Sequence, residues 1–88
     1  MINKKVCGLL GLATRAGKTV LGTEACKGEI EKRKVKLMII AQDASDRTKK
    51  NFKEICEKAN IQIVEILTIE ELSKAIGKEN KATVGVVD

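Results

Sequence analysis

The sequence has 88 residues, 43% of them hydrophobic, with 17 Lys and Arg against 12 Asp and Glu. This length fits one domain with a modest core over residues 1–88, and the formal charge of +5 favours a polyanionic partner, because cations that neutralise phosphates release counterions. Histidine is absent and Phe52 is the one aromatic residue, which excludes most familiar acid–base catalytic sites and any platform of aromatic side chains for stacked bases.

The first predicted element is an amphipathic helix. Asn3 is its expected N-cap and Gly17 its expected end. Gly8 and Gly11 each weaken a helix by about 1 kcal/mol relative to alanine, so we expect another backbone to approach closely at both positions. One face of this helix carries the apolar side chains of Ile2, Val6, Leu9, Leu10 and Ala13.

A strand stub, a helix and a central strand are predicted next. Residues 19–21 are too few for more than a short strand. A second helix follows over about residues 23–33, with Glu24 in its first turn, where a negative charge is favourable. Residues 37–41 form a continuous apolar run, which is typical of a strand covered on both faces, so we expect this strand at the centre of the sheet.

A third helix and a third strand come after the central strand. Either Ser45 or Asp43 can cap this helix at its start. Phe52 belongs to its apolar stripe, and Asn60 suits its end. Residues 61–67 are apolar and β-branched enough to form a strand.

The last predicted helix begins with a capping box. Thr68 and Glu71 form this box, and Gly77 ends the helix. A polar loop over residues 78–81 leads to a final strand over residues 82–87. Helices that alternate with apolar strands predict an α/β fold, namely a three-layer αβα sandwich with a small, mostly buried mixed central sheet.

Residues 12–19 end in Gly-Lys-Thr, as the phosphate-binding loop of an ATPase does. The first glycine of such a loop would have to stand at Leu12, and a strand, not a helix, would have to precede it. We therefore interpret this segment as a helix C-terminus capped by Gly17, with Lys18 near the negative end of the helix dipole. No catalytic role follows from it, and we do not expect an enzyme.

The cysteines and the first residues indicate the compartment. Cys7, Cys26 and Cys56 are odd in number and widely spaced, which predicts buried side chains in a reducing compartment and neither a disulfide framework nor a metal site. The first residues lack the apolar core of a signal peptide, and no stretch reaches transmembrane length. We expect a cytoplasmic protein without metal, cofactor, membrane contact or small-molecule substrate.

Several separated motifs of this sequence belong together. They are residues 8–18 (Gly-Leu-Leu-Gly-Leu-Ala-Thr-Arg-Ala-Gly-Lys), 22–24, 37–45 and 75–79. Their order and spacing, from about Asn3 to Asp88, resemble the bacterial YlxQ-like proteins of the ribosomal family of archaeal L-seven-Ae type, which binds kink-turn RNA. The resemblance implies a structured RNA as partner, with ribosomal RNA as one candidate, and an RNA surface made by the turn into the second helix, the loop after the central strand and the loop before the last strand.

The family signature at the head of the second helix is Gly-Thr-Asn-Glu, followed three residues later by Lys. Gly22 and Thr23 match it, whereas Glu24, Ala25 and Gly28 stand at the Asn, Glu and Lys positions. Glu24 could accept hydrogen bonds from the amino group of an exposed cytosine or guanine, or it could simply favour the helix dipole.

The other predicted contacts come from the loops and from nearby cations. Asp43 matches the acidic residue after the central strand and Gly77 the glycine that opens the last loop. We expect cations to converge at the head of the second helix and to make the edge of the molecule that carries these loops an electropositive rim. The predicted RNA-binding residues are Arg15, Lys18, Gly22, Thr23, Glu24, Lys27, Asp43, Gly77, Lys78, Glu79 and Asn80.

Two alternatives remain open at this point. The cations of residues 32–36 and 49–50 are interpreted as solvated faces, with direct RNA contact as the alternative. The whole chain could also be a protein-interaction or ribosome-assembly factor that keeps the sandwich without specific RNA readout.

Overall fold

The computed structural model describes residues 2–87, with the side chains of residues 4–87. Along this part of the chain helices and strands alternate as α1 (Ile2–Arg15), β1 (Thr19–Leu21), α2 (Thr23–Glu31), β2 (Leu37–Ile40), α3 (Asp46–Ala59), β3 (Gln62–Glu65), α4 (Ile69–Ala75) and β4 (Thr83–Val86). The strands form one mixed sheet in the order β1-β4-β2-β3. β2 and β3 are parallel, and β4 is antiparallel to both of its neighbours. The predicted central position of the strand after residue 36 is confirmed.

Apolar layers cover both faces of the sheet. On the face covered by α2 and α3, Met38 and Ile40 of β2 pack in one cluster with Phe52 of α3. Under α1 and α4 lie Ile39 of β2 and Val84 of β4. Successive strand residues point to opposite faces, so β2 supplies both layers. The predicted three-layer αβα sandwich is confirmed, with β2 and β4 buried and the edge strands β1 and β3 half-exposed.

The starts of α3 and α4 follow the predicted capping residues. The Ser45 hydroxyl caps α3 by accepting the Thr48 amide at 3.1 Å. The predicted capping box of α4 is present, because Thr68 accepts the Glu71 amide at 3.1 Å and Glu71 accepts the Thr68 amide at 2.9 Å. The predicted capping role of Asn3 at the start of α1 falls on a side chain outside those described.

All four helices of the described chain end in the same motif. At the end of α1, the Lys18 amide donates to the Ala13 carbonyl at 2.8 Å and the Gly17 amide donates to the Thr14 carbonyl at 3.1 Å. Gly17 has φ 72°, the left-handed conformation that this Schellman pattern requires. The same pair of bonds surrounds the left-handed residues Arg33, Asn60 and Gly77. The predicted helix ends at Gly17, Asn60 and Gly77 are therefore confirmed.

The packing of α1 differs from the prediction. A Cβ on Gly11 would stand 3.1 Å from the carbonyl oxygen of Ala75, so α4 does approach closely there. A Cβ on Gly8 would meet nothing within 4 Å, and the predicted close approach is wrong at that position. Leu9 lies on the predicted apolar face, where it lines one apolar concavity over the sheet together with Val6, Leu10 and Ala13, but its side chain is 60% exposed. The predicted place of Ile2 on the apolar face falls outside the described side chains.

One ion pair ties α3 to the end of β3. Lys49 Nζ lies 2.7 Å from Glu65 Oε1, so Lys49 has a partner within the fold. The hydrogen bond from this ammonium lowers the pKa of the Glu65 carboxyl below its ordinary value of 4.5. The pair therefore stabilises the fold above that pH, and the contribution is lost as the pH falls through the lowered pKa.

The thiols of the three cysteines are all reduced, with Cys26 and Cys56 buried and Cys7 half-buried. Burial raises the pKa of the Cys26 thiol, and the Thr83 hydroxyl and the Gly85 backbone only partly offset it. Burial, followed by the proximity of Cys26, raises the pKa of Cys56 as well. Among residues 2–87 no group of three His, Cys, Asp or Glu could hold a metal ion, and none of the helices there has the length and apolar composition needed to cross a membrane.

Candidate functional site

Four connections between strands and helices lie at one end of the sheet. Leu21, at the end of β1, lies opposite Val84 of β4. Ile40, at the end of β2, lies opposite Thr83 of β4 and Glu65 of β3. The ends of β1, β2 and β3 and the start of β4 therefore share this end. We call it the rim, and it comprises residues 22–25, 41–45, 66–70 and 78–82.

Backbone hydrogen bonds hold the rim together. They run from the Gly22 amide to the Thr83 carbonyl at 3.1 Å, from the Ala41 amide to the Ala82 carbonyl at 2.9 Å, and from the Gln42 amide to the Leu67 carbonyl at 2.7 Å. The turn into α2, the loop after β2 and the loop before β4 are thus neighbours, as the resemblance implied. Their mutual position is fixed by the sheet and not by flexible side chains.

The head of α2 is open. Gly22 has φ 92° and ψ 160°, a conformation that glycine alone adopts readily. No side chain caps α2, whereas α3 and α4, the other two helices with a described cap, both have one. The first-turn amides therefore keep their capacity to donate hydrogen bonds to a ligand. Lys81 Nζ lies 3.5 Å from the point where a Cβ on Gly22 would stand, so an ammonium group covers this glycine.

Ser73 of α4 holds the loop before β4 in place. Its hydroxyl is buried, accepts the Lys81 amide at 2.8 Å and donates to the Lys81 carbonyl at 3.2 Å. The Lys78 amide donates to the Ser73 carbonyl at 2.9 Å. These three bonds fix both ends of residues 78–81 against α4, and they set the backbone from which Lys81 reaches Gly22.

Asp43 has a structural partner in the rim. Its Oδ1 accepts the Ile69 amide at 2.7 Å, across from the loop after β2 to the first residue of α4. Of the two residues predicted as possible caps for α3, Asp43 thus serves α4 and Ser45 serves α3. A carboxylate at a helix N-terminus also favours the helix dipole.

Most of the predicted site residues are brought together. One open concavity is lined by Asp43 and by Lys78, Glu79 and Asn80, with Lys74 and Glu70 of α4 beside them. Gly77 ends α4 next to this concavity. Gly22, Thr23 and Glu24 stand at the neighbouring head of α2.

Three predicted residues lie elsewhere. Lys18 precedes β1, so the three-residue strand, about 10 Å long, separates it from the head of α2. Arg15 Nη1 lies 3.8 Å from the point where a Cβ on Gly11 would stand, on the side of α1 that meets α4. Lys27 faces the groove between α2 and α3. The predicted convergence of these three cations on the head of α2 is therefore wrong.

The rim carries mixed charge. Its lysines are Lys78 and Lys81, and its carboxylates are those of Glu24, Asp43, Glu70 and Glu79. The prediction of an electropositive rim is wrong, because the net charge of a sequence does not say at which end of a sheet its cations gather. A surface of this kind suits hydrogen bonds to base edges better than general attraction to phosphates.

Sequence reasoning missed Lys81 and Ser73. Lys81 follows the predicted contacts Lys78, Glu79 and Asn80 directly, but its place over Gly22 depends on the pairing of β4 with β1. Ser73 gave one local signal, because it lies on the side of the helix that carries Ile69 and Ile76. A small polar residue that is buried among apolar ones needs a hydrogen-bond partner. The identity of that partner depends on the course of the loop.

Known proteins resemble this chain over most of its length. The model of the Ribosomal protein L7Ae/L30e/S12e/Gadd45 family matches residues 4–88. A curated protein named RNA-binding protein YlxQ from Enterococcus faecium is 36% identical over 85 residues, which cover 97% of this chain and 82% of the relative. The protein of the same name from Bacillus subtilis (strain 168) is 35% identical over 80 residues, which cover 91% and 80%.

Two solved structures share the fold. One, described as a protein with unknown function from Bacillus halodurans C, has a TM-score of 0.90 and 33% identity, and the match covers 93% of this chain and 83% of that one. The Giardia lamblia 15.5kD RNA binding protein has a TM-score of 0.83 at 19% identity, with 94% and 71% covered, which is a likeness of fold. The family match spans nearly all of the described residues, and the chain therefore belongs to the ribosomal protein L7Ae/L30e/S12e/Gadd45 family.

Proposed function

We propose that this protein binds a structured, kink-turn-like RNA at the rim, without catalytic turnover, and that it acts in the cytoplasm in translation or in association with the ribosome. The two curated relatives are named as RNA-binding proteins. The observation that carries the proposal is the uncapped head of α2, covered by Lys81 and joined by hydrogen bonds to the loop before β4. These features offer amide donors and one cation to a single nucleic-acid segment.

The mixed charge of the rim defines how it would read RNA. The first-turn amides of α2 donate to phosphate or base carbonyl oxygens, and Lys81 neutralises a phosphate beside them. The exposed Glu24 carboxylate accepts from the amino group of an unpaired cytosine or guanine. One carboxylate oxygen of Asp43 accepts the Ile69 amide, so Asp43 helps to hold the loops of the rim in position.

Lys81→Gln tests this site. We expect it to weaken binding of a short kink-turn hairpin by about three- to tenfold, because one charged phosphate contact is lost at the head of α2. Fluorescence anisotropy with the labelled hairpin, at several salt concentrations, measures the effect. Lys50→Gln is the control, because Lys50 is exposed on the outer side of α3 and removal of its charge changes the net charge equally. Equal weakening by both variants would mean that no defined contact exists at the rim.

Gly28→Lys tests the register of the family signature. Gly28 stands at the lysine position of the signature, and a Cβ there would meet nothing within 4 Å, so a side chain fits. We expect tighter hairpin binding than Gly28→Ala gives, since both variants gain helix propensity but only one gains a cation. Identical affinities for the two variants would argue that RNA does not pass along this side of α2.

The carboxylates of the rim favour one other function. A rim with four acidic and two basic side chains suits a protein-interaction or ribosome-assembly factor that has lost RNA readout. Absence of hairpin binding by the wild-type protein at low salt would select this function, since phosphate contacts are strongest there.

A further inference from the structure

The end of the molecule opposite the rim carries a groove lined mainly by cations. It runs between the carboxyl-terminal halves of α2 and α3 to the start of β2. Two adjoining concavities that share Arg33 and Lys58 make up its length. We call it the basic groove, and its polar lining consists of Lys27, Glu31, Arg33, Lys36, Lys58 and Asn60.

The charge of this groove is the reverse of that in the rim. Its lining has four cations and one carboxylate, whereas the concavity of the rim is lined by two lysines and three carboxylates. Among the described residues, no carboxylate lies within ion-pair distance of the four groove cations, since Glu29 pairs with Lys32 and Glu65 pairs with Lys49. Lys58 also lines a neighbouring concavity together with Glu54 and Glu57. The lining of the groove itself, with four cations and one carboxylate, has a net positive charge.

Helix dipoles account for only part of this cluster. Cations are expected at helix C-termini, and Arg33 and Lys58 stand at the ends of α2 and α3. Lys27 lies in the middle of α2, and Lys36 precedes β2, where its amide is held by the Val86 carbonyl at 2.7 Å. Neither position gains from a helix C-terminus, so the helix dipoles do not explain their presence in the groove.

Arg33 is held rigidly and in an unfavourable conformation. It is left-handed, with φ 60°, at the position after α2 where glycine is the usual residue. Its amide donates to the Ile30 carbonyl at 2.9 Å, and the next amide, of Lys34, donates to the Glu29 carbonyl at 3.0 Å. The fold thus presents a cation from a fixed backbone at the centre of the groove.

The spacing of these cations fits a chain of phosphates. Lys27 lies one turn before the end of α2, or about 6 Å along the helix axis, and Arg33 and Lys36 follow in the connection to β2. Such a row of cations along a groove suits the successive phosphates of a nucleic-acid strand. Lys36 and Ala41 are separated by about 16 Å of strand, which exceeds the screening length of about 10 Å at 0.1 M salt, so the groove acts independently of the rim.

We propose that the basic groove is a second RNA-binding surface, which contacts the phosphate backbone of duplex RNA without reading sequence while the rim holds a different RNA segment. This goes beyond the proposed function, because it concerns another surface and another mode of binding. It replaces the interpretation of the cations at residues 33 and 36 as a merely solvated face. The protein then bridges two helical segments of one folded RNA, or two RNAs.

Direct binding to a plain duplex RNA, without a kink-turn, tests the groove on its own. The groove variant is Arg33→Gln/Lys36→Gln/Lys58→Gln, and the control is Lys5→Gln/Lys50→Gln/Lys53→Gln, which loses the same charge from exposed positions outside the groove. We expect the groove variant to bind the duplex about tenfold more weakly than the control, with a shallower dependence on salt. Circular dichroism and thermal unfolding establish that both variants are folded before they are compared.

Each result of this comparison decides the proposal. Equal losses in the two triple variants would mean diffuse attraction by net charge and would overturn it. Binding of poly-glutamate in preference to the duplex would overturn it too, in favour of an acidic protein partner. A groove-dependent duplex affinity supports it whether or not the kink-turn hairpin binds, so failure at the rim and failure at the groove remain distinguishable.

A capture experiment tests bridging. Wild-type protein is bound to an immobilised kink-turn hairpin, washed, and offered the labelled duplex. We expect capture of the duplex by the wild-type protein and by the control variant, and little capture by the groove variant although it still occupies the hairpin. Loss of the hairpin itself in the groove variant would show that both RNAs compete for one surface and would contradict two separate sites.

Discussion

Arg33 occupies a position where α1 and α4 each have a glycine. Gly17, Gly77 and Arg33 all follow a helix in the left-handed conformation, and Asn60 does so after α3. Asparagine tolerates this conformation through its short polar side chain, but arginine has no such compensation. The side chain of Arg33 therefore lowers the stability of the fold slightly, and its contribution has to be sought at the surface, where it lines the basic groove.

Gly8 inside α1 and Gly17 just after it distinguish the effect of backbone conformation from that of steric contact. A Cβ at either Gly8 or Gly17 would meet nothing within 4 Å, but Gly17 has φ 72° whereas Gly8 lies inside the helix. We expect Gly17→Ala to lower the free energy of unfolding by about 1–2 kcal/mol, because alanine is strained in the left-handed region. Gly8→Ala should raise it by about 0.5–1 kcal/mol, because alanine favours the helix interior.

Urea unfolding followed by circular dichroism measures both changes. The two variants add the same methyl group to open space, so each serves as the control of the other. Changes of the same sign at both positions would contradict the assignment of the effect to backbone conformation.

At the level of elements, Ser73 links a helix to the rim. Its hydroxyl bonds both the amide and the carbonyl of Lys81, and it is itself buried. Ser73→Ala leaves the half-buried Lys81 amide without a protein partner, which should lower the free energy of unfolding by about 1–2 kcal/mol. It should also weaken hairpin binding, because Lys81 no longer starts from a fixed backbone above Gly22.

A suitable measurement distinguishes these two effects. Amide hydrogen exchange at residues 78–82 should become much faster in Ser73→Ala than the change in overall stability explains. Ser45→Ala is the control, because it removes the N-cap of α3 and destabilises the fold by about 1 kcal/mol without touching the loop before β4. Equal exchange rates in that loop in the two variants would contradict the anchoring role of Ser73.

The elements differ in how far the sequence could predict them. Helix ends at Gly17, Asn60 and Gly77 and the capping box at Thr68 and Glu71 depend on neighbours within six residues, and these predictions were confirmed. Burial along the apolar face of α1 depends on which positions its neighbours cover, so Leu10 is buried whereas Leu9 on the same face is 60% exposed. Local chemistry thus fixes where an element begins and ends, but not which of its sides is covered.

The candidate site depends on the whole molecule. Thr19, near the start of the chain, pairs with Val86, near its end, and this pairing brings Lys81 to Gly22 and carries Lys18 away from it. No local pattern encodes such a contact, so the family resemblance could name the loops of the rim but not their charge. The mixed rim follows the end of β2 and the basic groove precedes its start, so the two surfaces lie at opposite ends of the strands.

The two apolar layers are coupled through β2, whose alternate side chains serve both faces. Leu72 of α4 is fully buried on one face of the sheet, whereas Cys26 of α2 and Cys56 of α3 are buried on the other face. Leu72→Ala should lower the free energy of unfolding by at least about 2 kcal/mol through the cavity it leaves. If the domain unfolds as one cooperative unit, a loss of about 2 kcal/mol raises the unfolded fraction about thirtyfold. A thiol reagent should then label Cys26 and Cys56 about thirtyfold faster than in the wild-type protein.

The labelling rates, measured at low reagent concentration and compared with urea unfolding of the same variant, test this coupling. Leu12→Ala is the control, because it makes the same change at a side chain that is 57% exposed on α1 and should leave both thiols as protected as before. Unchanged labelling of Cys26 and Cys56 in a destabilised Leu72→Ala protein would mean that the two faces of the sheet open separately. The loops that Ser73 and Asp43 anchor to α4 would then open with that face of the sheet. RNA bound at the basic groove between α2 and α3 would stabilise a different unit of the fold.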